Sequence, residues 1–189
     1  MGATNGFVPN ADALVGHNAR YAAGDHDGRL PPAPARKLAV VACMDARLDP
    51  LPVLGLDNGD AHVLRNAGGV ITDDVIRSLC LSQRALGTRE ILLVHHTDCG
   101  LQKVDDSSFR TELGAELGVT PPWSLEAFAD PHDDVRQSIR RLHLSPFIAH
   151  KDHIRGFVFD VADGLLREVH RDHDDASGPT PPGRGAPAG

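Results

Sequence analysis

Two short apolar runs, residues 37–43 and residues 89–96, constrain the fold of this chain more than any other feature. Each run is continuous rather than alternating, which is typical of strands that are buried on both faces of a sheet. Between them, Thr72 can cap the start of a helix that Gly87 ends. Strands of this buried type belong mainly to parallel sheets with helices on their faces, so the sequence predicts an α/β fold.

The remaining patterns extend this sheet. Residues 61–65 favour another strand, and residues 154–160 and 165–170 favour a hairpin turned at Asp163 and Gly164. The predicted fold class is therefore α/β, with a mainly parallel β-sheet of about four strands, an antiparallel edge strand and helices on both faces. Residues 44–60 form a loop with at most one helical turn, and further helices are expected at residues 10–23, 109–116 and 133–144.

Composition excludes several classes of partner. The chain has 19 basic and 26 acidic residues and a net charge of −7, which argues against nucleic acid and against a membrane surface. No apolar run approaches the length of a membrane span, and the first 30 or so residues lack the pattern of a secretory signal. We therefore expect a cytoplasmic protein. Three widely spaced cysteines do not make a disulfide framework, so they are candidates for metal ligands or nucleophiles.

Two reactive clusters follow the two buried strands. Cys43 ends the first strand, and the second runs into His95, His96 and, after a short turn, Cys99. Because ligands collect beyond the carboxyl ends of parallel strands, both clusters can face one crevice if the strands are neighbours. Two cysteines with one of the histidines make a donor set that zinc prefers, and three protein ligands leave one coordination position open, which is typical of a catalytic zinc.

Other interpretations of these residues are weaker. Cys80 lies on a helical face that continues from Ile76, so we assign it to packing. A cysteine phosphatase loop needs five residues between cysteine and arginine, whereas Cys43 and Arg47 have three between them. The glycines before Thr72 lack the spacing of a nucleotide-binding loop. Metal binding is therefore the chemistry that the pattern favours.

These motifs together resemble the β-class carbonic anhydrases. The resemblance runs from about residue 37 to residue 101 and rests on Cys43-x-Asp45-x-Arg47, on Arg65 and Asn66 before a Gly-rich turn, and on His96-x-x-Cys99. Alternation along the strand places His95 and His96 on opposite sides of the sheet, so either could be the metal ligand. The spacing of the family motif selects His96. The resemblance implies one zinc ion (Zn²⁺) per chain, held by Cys43, His96 and Cys99.

The resemblance also implies an activity. In this activity, zinc-bound water would release a proton, and the resulting hydroxide would attack carbon dioxide reversibly to give bicarbonate. An ionised Asp45 held by Arg47 would orient the hydroxide. In the inactive state of the family, the aspartate leaves the arginine and becomes the fourth zinc ligand. We expect Asn66, Ala67 and Gly68 to line the substrate pocket, and we expect a homodimer or homotetramer.

The expected organisation follows from these motifs. Residues 1–36 would form an N-terminal helix and linker packing on the core or on a partner subunit. Residues 37–170 would form the zinc-binding α/β domain, and residues 171–189, which have almost no large apolar side chain, a disordered tail.

Two alternative functions stay open. A hydrolase of carbonyl sulfide or carbon disulfide would keep the same fold and the same zinc chemistry. A non-catalytic zinc-binding module, in which Asp45 closes the metal site permanently, would bind zinc without turnover.

Overall fold

A computed structural model describes residues 9–24 and 26–170. Contacts divide the chain into Met1–Pro31 and Pro32–Gly189. The first part contains helix α1 (Ala11–Gly24), in which no residue is buried. The expected tail, residues 171–189, lies outside the described residues. Within the described residues, no helix is both long enough and apolar enough to cross a membrane.

The second part is built on a five-stranded sheet. In chain order its strands are β1 (Leu38–Cys43), β2 (Ala61–Asn66), β3 (Glu90–His96), β4 (His153–Phe159) and β5 (Leu166–Val169). The spatial order is β2-β1-β3-β4-β5, in which the first four strands are parallel and β5 pairs antiparallel with β4. This confirms the predicted sheet with its antiparallel edge, because four parallel strands carry one reversed edge strand.

Four α-helices accompany this sheet among the residues that the structure describes. They are α2 (Pro50–Leu54), α3 (Asp73–Leu86), α4 (Asp106–Leu117) and α5 (Pro131–Leu144). The side chain of Thr72 caps α3 by accepting from the amide of Val75, and Gly87 ends it in the left-handed conformation, as the sequence predicts. The predicted single turn in residues 44–60 is α2.

Two apolar layers enclose the sheet. On one face, Val75 and Leu79 of α3 and Val135 and Ile139 of α5 pack against the strands. On the other face, Leu48 and Leu56 join Val70 and Leu101 in a second cluster that also contains Cys43 and Cys99. The two cysteines therefore lie in the apolar layer on this second face. Every residue of β1 is buried, which agrees with its continuous apolar pattern.

Candidate metal centre

Strands β1 and β3 are direct neighbours, and this pairing brings the two reactive clusters together. The strands run parallel, with Ala42 opposite Val94, so both carboxyl ends lie at the same edge of the sheet. Cys43 ends β1, His96 ends β3, and Cys99 follows three residues later at the start of a short 3-10 turn. The two strands are therefore neighbours, which is the condition for both clusters to face one crevice.

Cys43, His96 and Cys99 form a compact and buried donor set. Their ligand atoms all lie within 4.8 Å of one another, and the two sulfur atoms are 3.9 Å apart. His96 is fully buried, and the two cysteines are 3% and 2% exposed. Sulfur and imidazole donors suit zinc, whereas magnesium and calcium prefer oxygen donors.

The imidazole of His96 is oriented for metal binding. Its Nδ1 donates to the main-chain oxygen of Thr97 at 2.8 Å, which leaves the lone pair on Nε2. Nε2 is buried and has no hydrogen-bond partner. A buried nitrogen without a partner loses the free energy of its hydration, and a metal ion shared with the two sulfurs would compensate that loss. The residues present therefore fit a zinc ion.

The hydrogen bond between the two sulfurs moves the pKa values of Cys43 and Cys99 in opposite directions. The hydrogen bond from Cys99 lowers the pKa of Cys43 to about 4, against the opposing effect of burial. The same hydrogen bond, together with burial, raises the pKa of Cys99. The pair therefore favours the thiolate form at Cys43, which is the form that binds a metal ion.

His95 and His96 point to different partners. The Nε2 atom of His95 lies 2.6 Å from Oδ2 of Asp134, in the first turn of α5, and its ring lies against Phe128. His95 is fully buried and is not a member of the donor set. Successive side chains of β3 face opposite sides of the sheet, which separates the two adjacent histidines.

Asp45 and Arg47 form an ion pair beside the donor set. Nε and one terminal nitrogen of Arg47 donate to the two carboxylate oxygens of Asp45 at 3.0 and 2.9 Å. These bonds hold the pKa of Asp45 well below its usual range. Oδ2 of Asp45 lies 3.7 Å from Nε2 of His96, so the carboxylate faces the place where the three ligand atoms converge.

Asp98 is a further partner of Arg47 that the sequence analysis did not single out. Its carboxylate and its main-chain oxygen each accept from the guanidinium at 3.0 Å, and Lys103 donates to the carboxylate at 2.7 Å. Asp98 has a positive φ of 53°, a conformation that aspartate tolerates better than most residues. The signal in the sequence that could have pointed to Asp98 is its position between His96 and Cys99. The contact itself joins residues 51 positions apart.

The structure places the predicted pocket residues in a tight turn. Asn66 ends β2, and Ala67, Gly68 and Gly69 form a 3-10 turn in which both glycines have positive φ. A Cβ on Gly69 would lie 2.8 Å from the main-chain nitrogen of Cys43, so only glycine allows this close approach. Ala67 is exposed and Gly68 is buried. The Asn66 amide donates to Val70, and its Oδ1 is buried without a partner.

Cys80 lies apart from the donor set, as the sequence analysis expects. It is half-buried and, with Ile76, lines an open groove between α3 and α5. Cys80 therefore packs at the surface between α3 and α5 rather than in the core.

The fold and the site together define an α/β protein with a metal centre of the Cys2His type. Comparison with known proteins gives the family. Residues 38–123 match the family model described as carbonic anhydrase. The chain is 53% identical over 158 residues to Beta-carbonic anhydrase 1 of Mycobacterium tuberculosis (strain ATCC 25618 / H37Rv), covering 84% of this chain and 96% of that protein.

Two further relatives extend the comparison. The crystal structure of carbonic anhydrase from Streptococcus mutans matches with a TM-score of 0.80 and 42% identity, covering 87% of this chain and 99% of that chain. The carbon disulfide hydrolase of Saccharolobus solfataricus is 48% identical over 160 residues, covering 72% of this chain and 78% of that protein. The chain belongs to the β-carbonic anhydrase family, which confirms the resemblance drawn from its motifs.

Proposed function

We propose that this chain hydrates carbon dioxide reversibly, giving bicarbonate and a proton, at one zinc ion held by Cys43, His96 and Cys99. One observation carries the proposal. In a chain of the carbonic anhydrase family, the partnerless Nε2 of His96 and two buried sulfurs converge within 4.8 Å. Three protein donors leave a coordination position for water, as catalytic zinc sites require.

Zinc, when bound, supplies Lewis acidity that makes water a nucleophile near neutral pH. Two thiolate ligands donate more negative charge than imidazoles, so residues around the metal must help to activate the water. The apolar cluster beside Cys43 and Cys99, with Val70 and Leu101, suits an uncharged and apolar substrate such as carbon dioxide.

Asp45 and Arg47 orient the attacking water in this proposal. The pKa of Asp45 is lowered by Arg47, so its carboxylate is ionised and can accept a hydrogen bond near the metal position. Arg47 holds that carboxylate through two parallel bonds, which restricts its rotation. The nucleophile is then aimed by a fixed acceptor rather than by mobile solvent.

Asn66, Ala67 and Gly68 form the substrate side of the site in this proposal. The support is the Oδ1 atom of Asn66, which is buried and has no hydrogen-bond partner. Such an acceptor is available for a water molecule or for the hydroxyl group of bicarbonate.

We further propose a homodimer or a homotetramer in the cytoplasm. No residue of α1 is buried, and a helix of 14 residues is marginally stable in water without packing partners. A second copy of the chain would supply such packing. All three cysteines are free, and a reducing compartment keeps thiol ligands available for metal.

A second candidate function is hydrolysis of carbon disulfide or carbonyl sulfide. The observation that favours it is the 48% identity to a protein named carbon disulfide hydrolase. Both sulfur compounds are linear and apolar like carbon dioxide, so the same zinc chemistry serves them.

Parallel assays of the zinc-loaded chain on the three substrates separate these functions. We expect rapid hydration of carbon dioxide and slow or absent release of hydrogen sulfide from carbon disulfide and carbonyl sulfide. Hydrogen sulfide release without hydration of carbon dioxide would establish the second candidate. Stoichiometric zinc without turnover of any substrate would indicate the non-catalytic module, in which Asp45 closes the site.

A further inference from the structure

We propose that Arg65 is a positioning residue that holds the loop carrying Cys43 and Asp45, and that it thereby sets both metal affinity and turnover. The inference deepens the proposed function and rests on it. The three hydrogen bonds of the Arg65 guanidinium go to main-chain oxygens of residues 43–48 and to none of the three donor side chains.

The guanidinium of Arg65 binds three main-chain oxygens of this loop. Arg65 lies near the carboxyl end of the edge strand β2, opposite Ala42 of β1. Its Nε donates to the oxygen of Cys43 at 3.0 Å. One terminal nitrogen donates to the oxygens of Asp45 at 2.7 Å and of Leu48 at 2.6 Å. A single side chain therefore spans the whole loop from the metal donor to the buried leucine.

The loop has other contacts besides those of Arg65: the amide of Met44 donates to the oxygen of Asn66 at 2.8 Å, and Arg47 donates to Asp98 at 3.0 Å. Leu48 is fully buried at the far end, and Cys43 is the last residue of β1 at the near end. Met44 between them is 64% exposed, and the amide of Leu48 also donates to the oxygen of Asp45. Arg65 joins both ends of the loop to Asp45 through its three bonds. Its bonds are charge-assisted, which makes them stronger than bonds between neutral groups.

The position of this loop sets the distance on which the mechanism depends. The main chain of Asp45 determines where its carboxylate lies, and Oδ2 is 3.7 Å from Nε2 of His96. A shift of the loop by about 1 Å would misplace the orienting carboxylate and one sulfur donor together. Without Arg65 we therefore expect weaker metal binding and slower turnover.

The three hydrogen bonds to the loop require a guanidinium with several nitrogen donors, and a positive charge alone is not enough. The three acceptors are reached through two different nitrogens, and lysine offers a single nitrogen at the end of its chain. Arg65 is also exposed, so a small guanidinium ion from solution can enter the space that a shortened side chain leaves.

The test compares Arg65→Ala and Arg65→Lys with the matched control Arg36→Ala. Arg36 makes an exposed ion pair with Asp60, away from the loop. For Arg65→Ala we expect a zinc dissociation constant raised about 10-fold or more, measured by competition with a chromophoric chelator. We also expect kcat lowered by a similar factor with KM within roughly twofold, because a misplaced Asp45 affects the transition state and leaves carbon dioxide binding unchanged.

Two readouts separate positioning from general support of the fold. Hydrogen exchange of residues 44–48 should rise in Arg65→Ala and stay unchanged in Arg36→Ala. Added guanidinium at a non-denaturing concentration should recover part of both the zinc affinity and kcat of Arg65→Ala, and Arg65→Lys should recover only part.

Several outcomes would overturn the proposal. They are a zinc affinity and kcat of Arg65→Ala equal to those of Arg36→Ala, full recovery in Arg65→Lys, and failure of guanidinium to restore either quantity. If the unsubstituted chain itself does not hydrate carbon dioxide, the proposed function fails. The zinc affinities and the exchange of residues 44–48 still test Arg65 in that case.

Discussion

At the scale of single residues, two adjacent histidines have separate tasks. His96 presents a partnerless Nε2 to two sulfurs, while Nε2 of its neighbour His95 contacts Asp134. The alternation of a strand predicts that they face opposite sides, but it does not say which side carries the cysteines. Only the position of the loop after β3 places Cys99 beside His96. The resemblance to a family therefore supplied what periodicity alone could not.

The first prediction concerns a sulfur donor. Cys43→Ser should remove zinc from the purified protein, because a serine hydroxyl does not ionise near neutral pH and is a poor zinc ligand. Zinc content by atomic absorption and thermal denaturation in the presence of zinc measure the effect. Cys80→Ser is the control, since Cys80 lies away from the donor set, and it should keep one zinc per chain. Full zinc content in Cys43→Ser would exclude Cys43 as a ligand.

The second prediction concerns the orienting carboxylate. Asp45→Asn should retain zinc but lower kcat for carbon dioxide hydration by about 100-fold, because an amide is neutral and pairs poorly with Arg47. Stopped-flow kinetics and zinc analysis on the same sample measure both effects. The control is Asp152→Asn, an exposed carboxylate in a turn, which should keep full activity. Unchanged activity in Asp45→Asn would remove Asp45 from the mechanism.

At the scale of elements, the structure extends two predicted helices toward their N termini. Helix α5 begins at Pro131 rather than residue 133, because Asp130 caps it and proline is tolerated in the first turn. Helix α4 begins at Asp106 rather than residue 109, because Asp105 accepts from the amide of Ser108. Aspartate serves as a loop residue and as a cap equally well, so composition alone did not locate these starts.

The third prediction tests the packing of α5 on β4. A Cβ on Gly156 would overlap with Cγ1 of Val135 and would lie 3.0 Å from Cδ1 of Ile139. Gly156→Ala should therefore lower the free energy of unfolding by about 1–3 kcal/mol, as overpacked cores do. Urea denaturation followed by circular dichroism measures it. Gly16→Ala is the control, because a Cβ there meets nothing within 4 Å. Equal stability of both variants would show that α5 shifts freely.

At the scale of the whole molecule, the order of strands in the sheet brings the three metal donors together. The motifs predict strand ends with reactive residues, and the arrangement β2-β1-β3 makes those ends neighbours. Continuous apolar runs such as β1 make the parallel sheet predictable. The contact of Arg47 with Asp98 joins two loops, and that of Arg65 with Leu48 joins strand β2 to the loop after β1. No local sequence pattern encodes either contact. Their geometry depends on the packing of the whole sheet.

The fourth prediction concerns acid. Ion pairs and main-chain amides lower the pKa of many carboxyl groups, so their stabilising effect is present above about pH 4, the pKa of unfolded carboxyls, and is lost as pH falls through the lowered values. The free energy of unfolding of the metal-free chain should therefore fall as pH decreases from about 5 to about 3. Urea denaturation at a series of pH values measures this. Stability that rises on acidification would contradict the role of these groups, which are Asp45, Asp60, Asp98, Asp105, Asp130, Asp163 and Glu168.

The most direct test of the central claim is stopped-flow hydration of carbon dioxide by the zinc-replete chain, from neutral to mildly alkaline pH. Zinc stoichiometry is determined on the same sample. We predict one zinc per chain and activity that increases with pH, because deprotonation of water at the metal supplies the nucleophile. One zinc per chain without hydration at any pH would contradict the account.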